Sequence, residues 1–158
     1  MSLAETTTYS TLSCLLLPLS GYDALLPKSI VKEVVFKPNI QFSEDDSDWL
    51  IGKTDWQDHV LPLISFELLC NQSRVKKSES LRAVICCAMG DNDVFPYYAL
   101  EVQSMPRPLI LDSRALHNNT GMTSRHSEVI SHHVKIGSKE LAIPNFEKLE
   151  AILATRAS

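Results

Sequence analysis

The stretch Asp48-Trp49-Leu50-Ile51-Gly52-Lys53-Thr54-Asp55-Trp56-Gln57-Asp58-His59-Val60-Leu61-Pro62-Leu63-Ile64-Ser65-Phe66 decides the fold. It divides into two apolar strands hinged at Gln57-Asp58-His59. The first, from Trp49 to Trp56, is apolar at Trp49, Leu50, Ile51 and Trp56 and contains Gly52. A glycine inside a strand marks a bend or a close approach of another backbone. The second strand, Val60 to Phe66, is broken by Pro62. Proline cannot donate to a sheet ladder, so this strand is expected at an edge or at a bulge. Both tryptophans of the chain, Trp49 and Trp56, lie here, and residues of this kind anchor cores and interfaces.

Working outward, the N-terminal side begins with a polar tail over residues 1–11, which lacks apolar periodicity. Leu12 to Leu19 and Leu25-Leu26, separated by Ser20-Gly21, form a hairpin. Ile30, Val31, Val34 and Val35 then fall at helical spacing behind Pro27, which predicts a helix of one to two turns from Pro27 to about Glu33. Val34-Val35-Phe36 continues as a strand. The acidic run Ser43-Glu44-Asp45-Asp46-Ser47-Asp48 is expected as a solvated loop, with an acidic rim for a basic partner as the sharper reading.

On the C-terminal side, Phe66 to Cys70 is a brief helix or a strand extension, and Asn71 to Ser80 a polar linker. Arg82–Met89 and Val94–Val102 form a hairpin across Gly90-Asp91-Asn92-Asp93. Leu109-Ile110-Leu111 is a short strand, and Asp112 to Ser131 a long loop. His132–Ile136 and Leu141–Ile143 flank a turn at Gly137-Ser138. Phe146, Leu149, Ile152 and Leu153 close the chain at helical spacing, with Asn145 as the N-cap. Phe66-Glu67-Leu68-Leu69 is echoed by Phe146-Glu147-Lys148-Leu149. The pattern is all-β with short helices, in two related small barrels.

The 158 residues, 44% of them apolar, suffice for one domain or two subdomains sharing a core. The net charge of −4 and the lack of a basic stripe argue against nucleic acid. Cys14, Cys70, Cys86 and Cys87 contain no Cys-x-x-Cys pair, so buried reduced thiols in a reducing compartment are expected. No secretory signal or spanning segment is visible, which points to the cytoplasm without membrane insertion. The histidines His59, His117, His126, His132 and His133 show no metal-ligand spacing, because neighbours in a strand face opposite ways. There is no nucleophile elbow, phosphate loop or dinucleotide fingerprint. Asp91 and Asp93 suit a turn rather than a catalytic dyad. No cofactor and no catalytic residue is assigned, and a binding module is favoured over an enzyme.

These residues resemble the CheW-like domain, the adaptor module of bacterial chemosensory arrays, over residues 12–153. The family's opening strand, turn, strand and Val-x-Glu-Ile/Val pattern are matched by Leu15 to Leu19, Ser20-Gly21, Ala24 to Leu26 and Val31-Lys32-Glu33-Val34. Its Gly-x-x-Asn-Leu-Arg-Gly-x-x-x-Pro-type run is matched at Gly52 and Pro62. Its closing stretch is matched by Asn145-Phe146-Glu147-Lys148-Leu149. The polar hinge departs from the family: Asn-x-Arg-Gly becomes Asp55-Trp56-Gln57-Asp58, and Gln57 lacks the charge and fork of the arginine.

The resemblance implies one CheW-like domain over 12–158, made of two interleaved SH3-like five-stranded β-barrel subdomains and a C-terminal helix, without enzymatic activity. It implies two partners: the regulatory domain of a CheA-type histidine kinase, met through Val31, Glu33 and Val34, and a methyl-accepting chemoreceptor tip, met through Gln57 and Asp58. With this departure the chain resembles a divergent adaptor of the ChpC or PilI kind, encoded with chemosensory systems that govern type IV pili and twitching motility. The alternative is a CheW-like scaffold that binds one partner and competes with another adaptor.

Overall fold

Alternation of side chains along the strands sorts the apolar residues of this chain into three cores. The computed structural model describes residues 11–19, 22–44, 48–70, 81–89, 95–112, 117–118 and 128–157. Its strands are β1 (Thr11–Leu17), β2 (Asp23–Pro27), β3 (Val31–Phe36), β4 (Ile40–Phe42), β5 (Leu50–Trp56), β6 (His59–Ile64), β7 (Arg82–Cys87), β8 (Tyr97–Val102), β9 (Arg107–Asp112), β10 (His117–Asn118), β11 (Ile130–Ile136) and β12 (Lys139–Pro144). The helices are α1 (Phe66–Leu69) and α2 (Phe146–Ala157). They form two six-stranded sheets, β10-β11-β12-β2-β1-β9 and β3-β7-β8-β6-β5-β4.

In the first sheet, Cys14, Leu16, Leu25, Leu111, Val134 and Leu141 fill one core. In the second, Ile51, Leu61, Leu63, Ala83, Ile85 and Ala99 fill another. The residues between them on the same strands point the other way, because successive strand side chains alternate. Leu17, Ala24 and Leu26 from the first sheet meet Ile64, Val84, Cys86, Tyr98 and Leu100 from the second in a shared core. Strands buried on both faces lose the apolar–polar alternation of a half-exposed strand, which explains the unbroken runs at 14–17 and 83–87.

The two sheets follow one topology. In the second, edge β3 pairs with β7, the β5–β6 hairpin pairs in parallel with β8, and α1 follows β6. In the first, edge β9 pairs with β1, the β11–β12 hairpin pairs in parallel with β2, and α2 follows β12. The order β3-β4-β5-β6-α1-β7-β8 thus repeats as β9-β10-β11-β12-α2, with its last hairpin supplied by β1–β2 at the other end of the chain. The repeated Phe-Glu-x-Leu segments occupy equivalent places, each behind a capping residue. Ser65 Oγ accepts from Leu68 N at 3.2 Å, and Asn145 Oδ1 accepts from Lys148 N at 3.1 Å.

Several expectations change. The helix over Pro27–Glu33 is a single 3₁₀ turn, Lys28–Ile30, and Val31 to Glu33 already belong to β3. The helical spacing of Ile30, Val31, Val34 and Val35 arises because a register shift between Val31 and Glu33 interrupts strict alternation. The strand with Pro62 is not an edge: β6 lies between β5 and β8. It tolerates the proline because its β8 ladder begins at Leu63, one residue beyond. The bulge falls instead on β5, between Leu50 and Gly52. Each sheet has six strands rather than five, through the short edges β4 and β10. Thr11, assigned to the tail, starts β1, and the long loop over 112–131 contains β10 and the first residues of β11. The turns at 20–21 and 90–93 and the linker at 71–80 lie outside the described residues, as do residues 1–10 and the Asp45–Ser47 part of the acidic run.

Candidate functional site

The hinge at Gln57-Asp58 is a two-residue hairpin loop. Trp56 and His59 are cross-strand partners on either side of it, and both loop residues have positive φ, 44° at Gln57 and 65° at Asp58. That is the backbone of a type I′ turn, whose twist matches the flanking strands. Both side chains are exposed at the tip. Below the tip, β5 must pass against β4. A Cβ at Gly52 would lie 2.0 Å from the carbonyl oxygen of Gln41. Glycine is therefore required here by the close backbone approach that a glycine within a strand suggests.

The second candidate surface is β3, an edge strand paired only with β7 among the described residues. Val31 and Val34 are half-buried and pack on the shared core, whereas Glu33 is exposed. The two valines thus combine a packing role with partial exposure along the edge. Glu33 sits on the opposite face, toward the inner core of its own sheet.

Tertiary structure joins these two surfaces. Trp56 Nε1 donates to Glu33 Oε1 at 2.9 Å. The bond spans strands that are not ladder neighbours, because the sheet curls until its β3 edge approaches β5. Trp56 also heads an aromatic group: its ring lies 5.0 Å from Tyr97 and 6.3 Å from His59, and His59 lies 5.1 Å from Tyr97. Val60, 64% exposed and across from Asp55, points to the opposite face of the hairpin from this aromatic group. Sequence reasoning assigned Glu33, Gln57 and Asp58 but not Trp56, His59 and Tyr97. Aromatic residues flanking a two-residue turn were a usable signal for the first two. Tyr97 has no local signature, because only the parallel pairing of β8 with β6 brings it alongside. Phe36 is 54% exposed on the same edge strand, and the Arg82 guanidinium lies 4.9 Å from its ring centroid.

The acidic run is not uniformly solvated. Asp48 accepts two hydrogen bonds from Arg156 at the end of α2, and the Arg156 guanidinium lies 5.1 Å from the Trp49 ring centroid. The bond to Arg156 holds the Asp48 carboxyl below its ordinary range. Glu44 is exposed.

Nothing in the described residues assembles a reactive centre. The four cysteines are free, and burial pushes the Cys14 and Cys86 thiols up, away from the reactive thiolate. His132 is exposed beside Ser131, and His133 packs edge-on against Tyr22 at 5.3 Å. No group of three or more His, Cys, Asp or Glu side chains that could hold a metal occurs among the described residues. No helix there is long and apolar enough to cross a membrane.

A family model described as CheW-like domain matches residues 13–151. Among solved structures, the chain is similar to the scaffolding protein TtCheW from Thermoanaerobacter tengcongensis. The TM-score is 0.70 at 16% sequence identity, covering 86% of this chain and 90% of that one. No curated protein matches the chain.

Proposed function

Because the chain belongs to the CheW-like domain family, we propose that it is a non-enzymatic scaffold of a chemosensory system, coupling a chemoreceptor to the regulatory domain of a CheA-type histidine kinase from the cytoplasm. The family match across 13–151 carries this reading. The geometry supports it in one respect: Trp56, which flanks the Gln57-Asp58 tip, hydrogen-bonds to Glu33 on the edge strand and so links the two candidate surfaces. An edge strand and an aromatic patch are suitable docking features for a second β-barrel or a helical tip.

The kinase regulatory domain is assigned to Val31, Glu33 and Val34, and the receptor tip to Gln57 and Asp58. The finer assignment, to the ChpC or PilI kind of adaptor in type IV pilus and twitching control, rests on the replacement of Asn-x-Arg-Gly by Asp55-Trp56-Gln57-Asp58. The same replacement favours a second reading, in which the protein holds one partner only and competes with another adaptor.

Calorimetric titration against the regulatory domain of the CheA-type kinase from the same genome tests the assignment. Saturable one-to-one binding is expected, weakened about tenfold by Glu33→Lys, as for loss of one charge-assisted contact. Trp56→Phe removes the donor to Glu33 but keeps a ring, and so separates disruption of the Trp56 bond from loss of the Glu33 charge. Unchanged kinase affinity in a folded Glu33→Lys protein would reject this surface. Titration of receptor tips then separates the readings: an adaptor binds both partners, a competitor only one.

A further inference from the structure

The first sheet is incompletely closed. Its edge strand β9 curls toward the β11–β12 hairpin without pairing with it, and the seam contains an apolar cleft of about 240 Å³. Leu16 and Leu141, both buried, belong to the inner core of this sheet and also line the cleft. Leu109 and Ile136, half-buried against the same core, form its walls together with Pro108. The cleft is therefore an open end of a hydrophobic core, where lining side chains lack dispersion partners on one side.

Two cations complete the lining, Arg107 and Lys139. Lys139 Nζ is 3.6 Å from Asp23 Oδ2, so its charge is already opposed. The Arg107 side chain, exposed on β9, has no ion pair or hydrogen bond with the described residues. Glu140 is cross-strand from Lys135, on the face of β12 opposite to Lys139 and Leu141. The seam thus combines an apolar interior with one guanidinium unopposed among the described residues at its mouth, on the other sheet from Glu33 and the hinge.

We propose that this cleft binds a small amphipathic anion, with a short apolar tail against Leu16, Leu109, Ile136 and Leu141 and a carboxylate on Arg107. The volume lies just below the roughly 300 Å³ at which drug-sized pockets begin, so the tail is short. A guanidinium matches a carboxylate in bidentate fashion. The site is independent of the adaptor reading.

The test is a titration of the full chain with hexanoate, followed by methyl shifts in two-dimensional NMR, with hexanol and acetate as companion probes. Saturable shifts at Leu16, Ile136 and Leu141 are expected with hexanoate, at lower concentration than with hexanol, and none with acetate. Arg107→Gln should weaken hexanoate about tenfold, as for loss of a hydrogen bond to a charged group, and leave hexanol unchanged. Ile136→Trp, which places a ring over the cleft, should abolish binding of both while the remaining spectrum stays native. Equal affinity for hexanol and hexanoate, or hexanoate binding indifferent to Arg107→Gln, would overturn the anion assignment. Absence of any shift at the lining methyls would overturn the site.

Discussion

Two residues at the hinge occupy a backbone region that disfavours L side chains. Gln57 and Asp58 both have positive φ, and the left-handed conformation costs roughly 1–2 kcal/mol per ordinary residue. Asparagine and glycine are the preferred pair for a type I′ turn. The Gln57→Asn/Asp58→Gly variant is therefore expected to be more stable by about 1 kcal/mol, read as a higher denaturation midpoint with unchanged slope. The same variant should lose receptor-tip affinity if these side chains make the contact. A midpoint at or below that of the parent would remove the strain argument. Gly52 presents the opposite case. Its φ lies outside the strained region, but a Cβ there meets the backbone of Gln41 and Phe42. Gly52→Ala must displace β4 and is expected to destabilise by about 1–3 kcal/mol, the range for overpacking. Chemical denaturation measures it, and a neutral substitution would show that β4 yields freely.

At the scale of elements, α2 serves both sheets. It follows β12 of the first and buries Leu149 and Leu153 in the shared core. Its buried Glu150 accepts from Met89 N at 2.7 Å, just past β7 of the second sheet. Its last turn is fastened by Arg156 to Asp48, at the start of β5. The folded-state carboxyl of Asp48 titrates below its unfolded value. Its contribution is therefore complete above the unfolded value of about 3.9, and is lost as pH falls through the lowered folded value. Arg156 is partly solvated, so the gain is at most about 1 kcal/mol. The stability of the parent protein should fall more steeply than that of Asp48→Asn as pH drops below about 4. Parallel curves in an acid titration of the denaturation midpoint would rule out this fastening. The 3₁₀ turn at Lys28–Ile30 belongs to the same scale. A four-residue apolar spacing suggested a helix, but the ladder between β3 and β7 gives residues 31–36 more than an isolated turn could.

At the scale of the molecule, two sheets with their own inner cores share a third core between them. Separating them would expose Leu17, Leu26, Leu100, Val102 and Leu153 together. A single cooperative unfolding transition is expected, in which fluorescence of Trp49 and Trp56, both in or beside the second sheet, coincides with far-ultraviolet circular dichroism of the whole chain. Two separated transitions would contradict the shared core. The topology reinforces this coupling: β1 and β2 complete a sheet whose other strands come from residues 107–144, so the first sheet cannot form until both ends of the chain meet.

Much of this was legible in the residues themselves. Period-two runs, turn residues at Gly137 and the hinge, and capping residues at Ser65 and Asn145 act over a few positions, so strands, hairpins and helix starts follow from local chemistry. Gly52, the Gly-x9-Pro run and Asn145-Phe146-Glu147-Lys148-Leu149 sufficed to reveal the resemblance, because close backbone approach and capping leave few acceptable residues. What sequence could not supply depends on neighbours distant along the chain. Pro62 suggested an edge, yet β6 is interior because its second ladder starts one residue later. The acidic run suggested solvent, yet Asp48 has a partner 108 positions away. Trp56 reaches Glu33 only when the second sheet curls, and Tyr97 reaches Trp56 and His59 only when β8 pairs with β6. Local propensity and patterning determined the elements and the family. The curling of each sheet, which minimises exposed apolar area across residues far apart in sequence, decided which of those elements became a surface.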